Sequence, residues 1–187
     1  MKHIVYKAFA NYEKEEKWLN EMSAKGMALT AYSWCRYVFE ETPNNEYTYR
    51  IELLEDLPVR AANKAYIKFL EENGVECVAT YMRWIYLRRK SSEGEFDIYS
   101  DLDSKIKHYK RVYTFWFTMM WVEFLVGSVN VFLGILNLTI SDISGNFPFV
   151  NVFLGLFVIA LGLLFLGLLR PIGKKIKTLK KEKEVRE

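Results

Sequence analysis

The chain has 187 residues, 26 Lys and Arg against 23 Asp and Glu, and a formal net charge of +3, with 51% hydrophobic and 16% aromatic residues. Two cysteines are too few for a disulfide scaffold, and this hydrophobic content excludes a disordered polyelectrolyte. The near balance of charge hides unlike regions: residues 1–111 carry 18 basic and 18 acidic side chains, and residues 170–187 carry 8 basic against 3 acidic.

Residues 3–90 read as β-α-β-β-α-β. HIVYKAF is a short strand. Asn11 is a good N-cap and Gly26 a good C′ residue, so a helix is predicted between them, with Trp18, Leu19 and Met22 on its apolar face. Residues 28–40 read as one strand, TPNN as a turn, and residues 46–54 as a strand that alternates through Tyr47, Tyr49, Ile51 and Leu53. Asp56 and Pro58 are expected to open a second helix with Ala62, Ala65, Tyr66, Phe69 and Leu70 inward; Asn73-Gly74 closes it. Residues 75–90 form the last strand. The order predicts an α+β, ferredoxin-like domain over residues 1–90, with one sheet face covered by helices. The bare face is expected to hold Tyr32, Trp34, Arg36, Arg50, Met82 and Trp84.

Residues 91–111 are polar and read as a neck, with Ser100 and Asp103 as a capping box and a short amphipathic helix, Leu102, Ile106, Tyr109 and Tyr113 on one face, running into the first apolar run. Two apolar runs follow, residues 112–138 and 147–169. Each exceeds the roughly 20 residues that a helix needs to cross a hydrocarbon layer of roughly 30 Å. Lys105, Lys107, Lys110 and Arg111 precede the first, and Arg170 with the lysines of the tail follows the second. The loop TISDISGN has no basic residue. Positive residues stay inside, which predicts a two-pass protein of the cell membrane with both termini cytoplasmic. The N-terminus lacks the apolar core of a signal peptide, and the cysteines are expected as free thiols.

The phrases KEEKWLNEMSAKGMAL, YVFEETPNNEYTYRIELLE, YIKFLEENGVECVATYMRWIYLRRK and SDLDSKIKHYKR resemble the bacterial family catalogued as domain of unknown function 2812. The likeness covers about the first 110 residues, with WLNEM-x-x-KG and YxYRI as its repeated phrases. It implies a membrane-anchored protein, often encoded beside PadR-like regulators. It carries no activity and no functional residue over to this chain.

No nucleotide, metalloprotease, nucleophile-elbow or C-x-x-C motif is present, so no cofactor and no enzymatic role are expected. His108, among lysines, reads as a solvated surface residue. Glu123 is the one ionisable group inside an apolar run. With Gly127, Asn130, Gly134 and Asn137 it shares one side of a helix; Asn151, Gly155 and Gly162 share a side of the next. Small residues let helices approach closely and polar ones bond across them, so a helix interface is expected, within the pair or between copies. The alternative is a small transporter or accessory subunit with Glu123 in the pathway. The tail sets Ile172, Ile176 and Leu179 on one side and Lys174, Lys175, Lys177, Lys180 and Lys181 elsewhere, a pattern suited to an anionic lipid surface. The bare sheet face carries no RNA-binding pattern, and neutral charge argues against nucleic acid. The expected role is a membrane-anchored sensing or interaction module whose partners are the bilayer and a second copy or another membrane protein.

Overall fold

A computed structural model describes residues 1–99, 101–140 and 147–186 of the chain. It has two compact units, Met1–Ser104 and Lys105–Glu187. The element order is β1 (Lys2–Tyr6), α1 (Tyr12–Ala24), β2 (Met27–Ser33), β3 (Arg36–Glu41), β4 (Tyr47–Leu53), α2 (Ala61–Glu72), β5 (Glu76–Tyr81), β6 (Trp84–Lys90), α3 (Leu102–Ile140) and α4 (Phe147–Arg186).

The class is α+β, followed by two long apolar helices. The strands form two three-stranded antiparallel sheets, β1-β3-β2 and β4-β6-β5, instead of one ferredoxin-like sheet. The difference arises inside the two longest predicted strands. Each folds back on itself as a hairpin, and the turns fall at Trp34 and Cys35 (φ 37° and 62°) and at Met82 (φ 53°). Strands usually run about 5–6 residues, so the length of the runs 28–40 and 75–90 was itself a sign of a turn.

The two sheets are copies of one β-α-β-β unit. Gly26 and Gly74 both follow the helix in the left-handed region (φ 75° and 79°). The register shift between Leu29 and Ala31 recurs between Cys77 and Ala79, and the turn residue Trp34 recurs at Met82. From helix to second hairpin strand, each position has its counterpart forty-eight residues further on.

Local chemistry accounts for α1. Asn11 is its N-cap, and Oδ1 accepts the amides of Glu13 (2.9 Å) and Lys14 (3.1 Å). Leu19 is wholly buried, with Trp18 and Met22 beside it. The second helix departs from expectation. It begins at Ala61, with Arg60 as N-cap and no side-chain cap bond, because Asp56 Oδ1 bonds Leu57 N instead. Its inward residues are Tyr66, Ile67 and Leu70; Ala62, Ala65 and Phe69 are exposed. One core cluster joins α1 to both sheets through Leu19, Leu29, Tyr37, Phe39, Tyr49, Ile51 and Tyr86. A second sets Leu70 and Val75 against Leu54, Ile85, Leu87 and Phe96, so the segment after β6 packs into the unit as well. Each such fully buried side chain contributes about 1.5–3 kcal/mol.

The α3 N-terminus is held by Asp101, which accepts from Ser104 N (2.7 Å) and from its hydroxyl (2.9 Å). The expected cap Ser100, and most of the loop 139–146, lie outside the described residues.

Candidate functional site

The six residues expected on a bare sheet face do not share one. Trp34 and Met82 sit at the hairpin turns, 75% and 63% exposed. Tyr32 turns inward, its ring 4.7 Å from Tyr37 and 4.6 Å from Tyr86. Trp84 packs 5.5 Å from Tyr12. Arg50 stands 3.4 Å from Glu16 and lies over the ring of Phe96. Arg36 is half-buried at the start of β3. The parity assumed for residues 28–40 and 75–90 was broken by the turns and by the register shifts.

The inward rings surround Glu15, which sequence reasoning missed. It looked like one more surface acid in EKEEK. It lies in the first turns of α1, a position favourable for negative charge, yet it is only 7% exposed. Its Oε1 accepts two hydroxyls, from Tyr37 on β3 at 2.6 Å and from Tyr86 on β6 at 2.8 Å. One carboxylate oxygen therefore ties the first sheet to the second. Burial pushes its pKa above the ordinary carboxylate value, and the tyrosine hydroxyls only partly oppose this.

Beside it runs a polar ladder. β4 is an edge strand, and edges need covering. Three side chains spaced along α1 supply the cover. Ser23 bonds the carbonyl and amide of Tyr47. Asn20 donates to Tyr49 O (3.2 Å) and accepts Tyr49 N (2.8 Å). Glu16 accepts Ile51 N (3.0 Å). The phrases WLNEM-x-x-KG and YxYRI, far apart in sequence, are thus two sides of one hydrogen-bonded seam. A second link crosses the sheets: Leu29 N donates to the Tyr49 hydroxyl (2.8 Å), and Leu29 O accepts Arg88 (3.0 Å).

The thiols of Cys35 and Cys77 are free. Burial pushes the Cys77 thiol up to about 11, far from a reactive thiolate. His108 is buried, contrary to its expected surface place. Among the described residues no group of His, Cys, Asp and Glu is arranged to hold a metal.

In the second unit α3 and α4 are antiparallel, and four glycines bring them together. A Cβ on Gly127 would lie 2.8 Å from Gly155 O, and one on Gly155 would lie 2.6 Å from Gly127 O. Gly134 abuts Pro148 O and Val152, and Gly162 abuts the ring of Phe124. Val131 and Ile159 fill the gaps between them. Large side chains point away: Leu125 is 67% and Phe153 73% exposed. Small residues inside and bulky apolar ones outside is the pattern of helices solvated by lipid. Both helices are long and apolar enough to cross a membrane, which fits a membrane protein.

Of the polar residues predicted for this interface, Asn130 bonds its own helix at Val126 O (2.8 Å), while Glu123, Asn137 and Asn151 are half-buried. The basic tail continues α4. The helix passes through Pro171 and runs on to Arg186, with Leu179 buried and Lys174, Lys175, Lys177, Lys180 and Lys181 exposed. Gly173 still faces Tyr113 of α3, 3.6 Å from a Cβ placed there.

No curated protein and no solved structure matches the chain. Residues 11–121 match the family described as "Protein of unknown function (DUF2812)", a stretch that holds Glu15, the polar ladder, both hairpins and the start of the first apolar helix. By that match over more than half its length, the chain belongs to this family of unknown function.

Proposed function

We infer that the protein is a non-enzymatic, membrane-anchored binding module. The α+β unit takes up a ligand or partner on the cytoplasmic side, and the helix pair is its anchor. The observation that carries the reading is the distribution of charge along an antiparallel pair. Lys105, Lys107, Lys110 and Arg111 lie at the start of α3, and the lysines of the tail lie at the end of α4. Because the helices run in opposite directions, these two basic ends belong to one side of a bilayer, and the loop without Lys or Arg belongs to the other. The positive-inside bias then places both termini in the cytoplasm.

The glycines support anchoring over transport. They are consumed in the contact between α3 and α4, so they build a closed pair. The α4 stretch Ile159–Leu163, near Gly127 and Phe124, offers Glu123 no polar side chain. Association with a second copy or another membrane protein would use the outward faces.

Topology provides the test. A cysteine at Ser144 should react with an impermeant maleimide in intact cells, and a cysteine at Ser92 should react only after lysis. Labelling of Ser92 in intact cells would overturn the orientation and with it a cytoplasmic binding unit. Crosslinking and co-purification from native membranes should return a discrete partner or a homo-oligomer. Ion-driven uptake in proteoliposomes that is lost in Glu123→Gln would replace the reading by transport.

A further inference from the structure

Glu15 is an unusual acid. A carboxylate buried this deeply is ordinarily paired with a cation, because removal from water is costly. Here, among the described residues, no Lys, Arg or His charge acts on it; its two bonds come from neutral phenols. If its role were structural alone, a neutral amide of the same shape would bond the two hydroxyls and avoid the cost of burial.

The surroundings specify what would compensate the charge. Tyr32 lies against both Tyr37 and Tyr86, Tyr81 lies 5.6 Å from Tyr32, and Trp34 lies 6.2 Å from Tyr81. A continuous run of ring contacts, edge-on between Tyr32 and Tyr81 and tilted elsewhere, therefore leads from exposed Trp34 to the buried acid. Ring faces attract cations, and attract them more strongly away from water. A hard metal ion would need several oxygen ligands, which the described residues do not gather here. An organic cation with flat rings needs one carboxylate and aromatic walls, and both are present. Tyr32 is the part able to yield. It is half-buried, it stands two residues before the turn, and its hydroxyl, which also meets the hydroxyl of Tyr86, accepts a long bond from Cys35 N (3.3 Å).

We propose that Glu15 and the rings of Tyr32, Tyr37 and Tyr86 form a binding site for a lipophilic organic cation, entered by outward rotation of Tyr32. The proposal rests on the reading of the α+β unit as a binding module, and it names the class of ligand.

The test uses the full chain in detergent micelles, with rhodamine 6G followed by fluorescence anisotropy. Tetraphenylphosphonium serves as competitor, and fluorescein, a similar ring system with negative charge, as control. Expected is saturable binding of rhodamine 6G, displacement by tetraphenylphosphonium and none by fluorescein. Glu15→Gln should weaken binding by about thirtyfold, the size of one charge-assisted contact. Tyr86→Phe, which keeps the ring, should weaken it less than about threefold. Equal binding by wild type and Glu15→Gln, or no saturable binding at all, overturns the proposal. So does a Glu15→Gln variant that fails to fold, because the charge would then be held for structure. Cysteine labelling at Ser144 and Ser92 is indifferent to these results, so the site can fail while the anchored module stands.

Discussion

The two β-α-β-β repeats have the same sheet order, the same register shift and the same glycine after the helix, yet they use their helices in opposite ways. In the first repeat, Glu16, Asn20 and Ser23 bond along the edge of β4. Forty-eight residues on, the equivalent positions are Lys64, Lys68 and Glu71, all exposed. Leu19 is wholly buried, whereas its counterpart Ile67 is half-buried. Buried Glu15 corresponds to Asn63, which bonds the backbone at Asp56 and Leu57. Topology alone therefore does not assign a helix its work. The first helix clamps the two repeats into one core, and the second covers its own sheet.

This contrast can be broken most severely at its centre. Leu19→Ala should cost about 4 kcal/mol, as a cavity in a closed core, and Ile67→Ala about 1–2 kcal/mol, because water already reaches it. Thermal melting of the full chain, followed by near-ultraviolet circular dichroism, measures both; equal losses would mean that the helices share the load. Next comes the ladder. Asn20→Ala removes both bonds to Tyr49 and should cost about 2–3 kcal/mol, while Lys68→Ala should stay within about 0.5 kcal/mol.

The glycines sharpen the comparison further. Both need a positive φ, so alanine costs about 1 kcal/mol at either position. At Gly26 the new Cβ would also lie 2.7 Å from Thr42 O, a backbone atom, whereas at Gly74 it meets only the end of the Glu93 side chain at 3.1 Å. Gly26→Ala should be the worse by about another 1 kcal/mol, read from denaturant midpoints. The smallest effect has the opposite sign. Glu15 holds its proton more tightly folded than unfolded, so its contribution to stability falls as pH rises above the ordinary carboxylate range. Glu15→Gln should raise Tm at pH 7.5, and the gain should shrink toward pH 4. A loss at pH 7.5 would show the ionised carboxylate to be a net stabiliser.

Much of this was legible in the residues, and what was hidden had physical causes. Asn11, Gly26 and the spacing of Trp18, Leu19 and Met22 specify α1, and the apolar runs specify two helices long enough to cross a membrane. The hairpins were hidden because Trp34-Cys35 and Met82-Arg83 contain neither glycine nor asparagine, the usual residues of tight turns. The repeat was hidden because equivalent positions carry different chemistry: Asn20 answers to Lys68, and Tyr37 to Ile85. Glu15 was hidden because nothing local separates it from Glu13, which is exposed; only the tyrosines of two distant strands bury it. The neck helix running into the first apolar run was legible in the spacing of Leu102, Ile106, Tyr109 and Tyr113, whereas the continuation of α4 to Arg186 was not, because a change from apolar to charged residues does not by itself end a helix.

The helices that result are about 58–60 Å long, at about 1.5 Å per residue, roughly twice the thickness of a hydrocarbon layer. Gly127 and Gly134 lie one heptad apart, as do Gly155 and Gly162. A lengthwise slip of one helix by less than a heptad, about 10.5 Å, would drive Val131 or Ile159 against backbone where a glycine now sits. The pair therefore has a seated register with steep walls on either side. It would behave as a rod with a detent, held at one lengthwise setting by its glycine contacts.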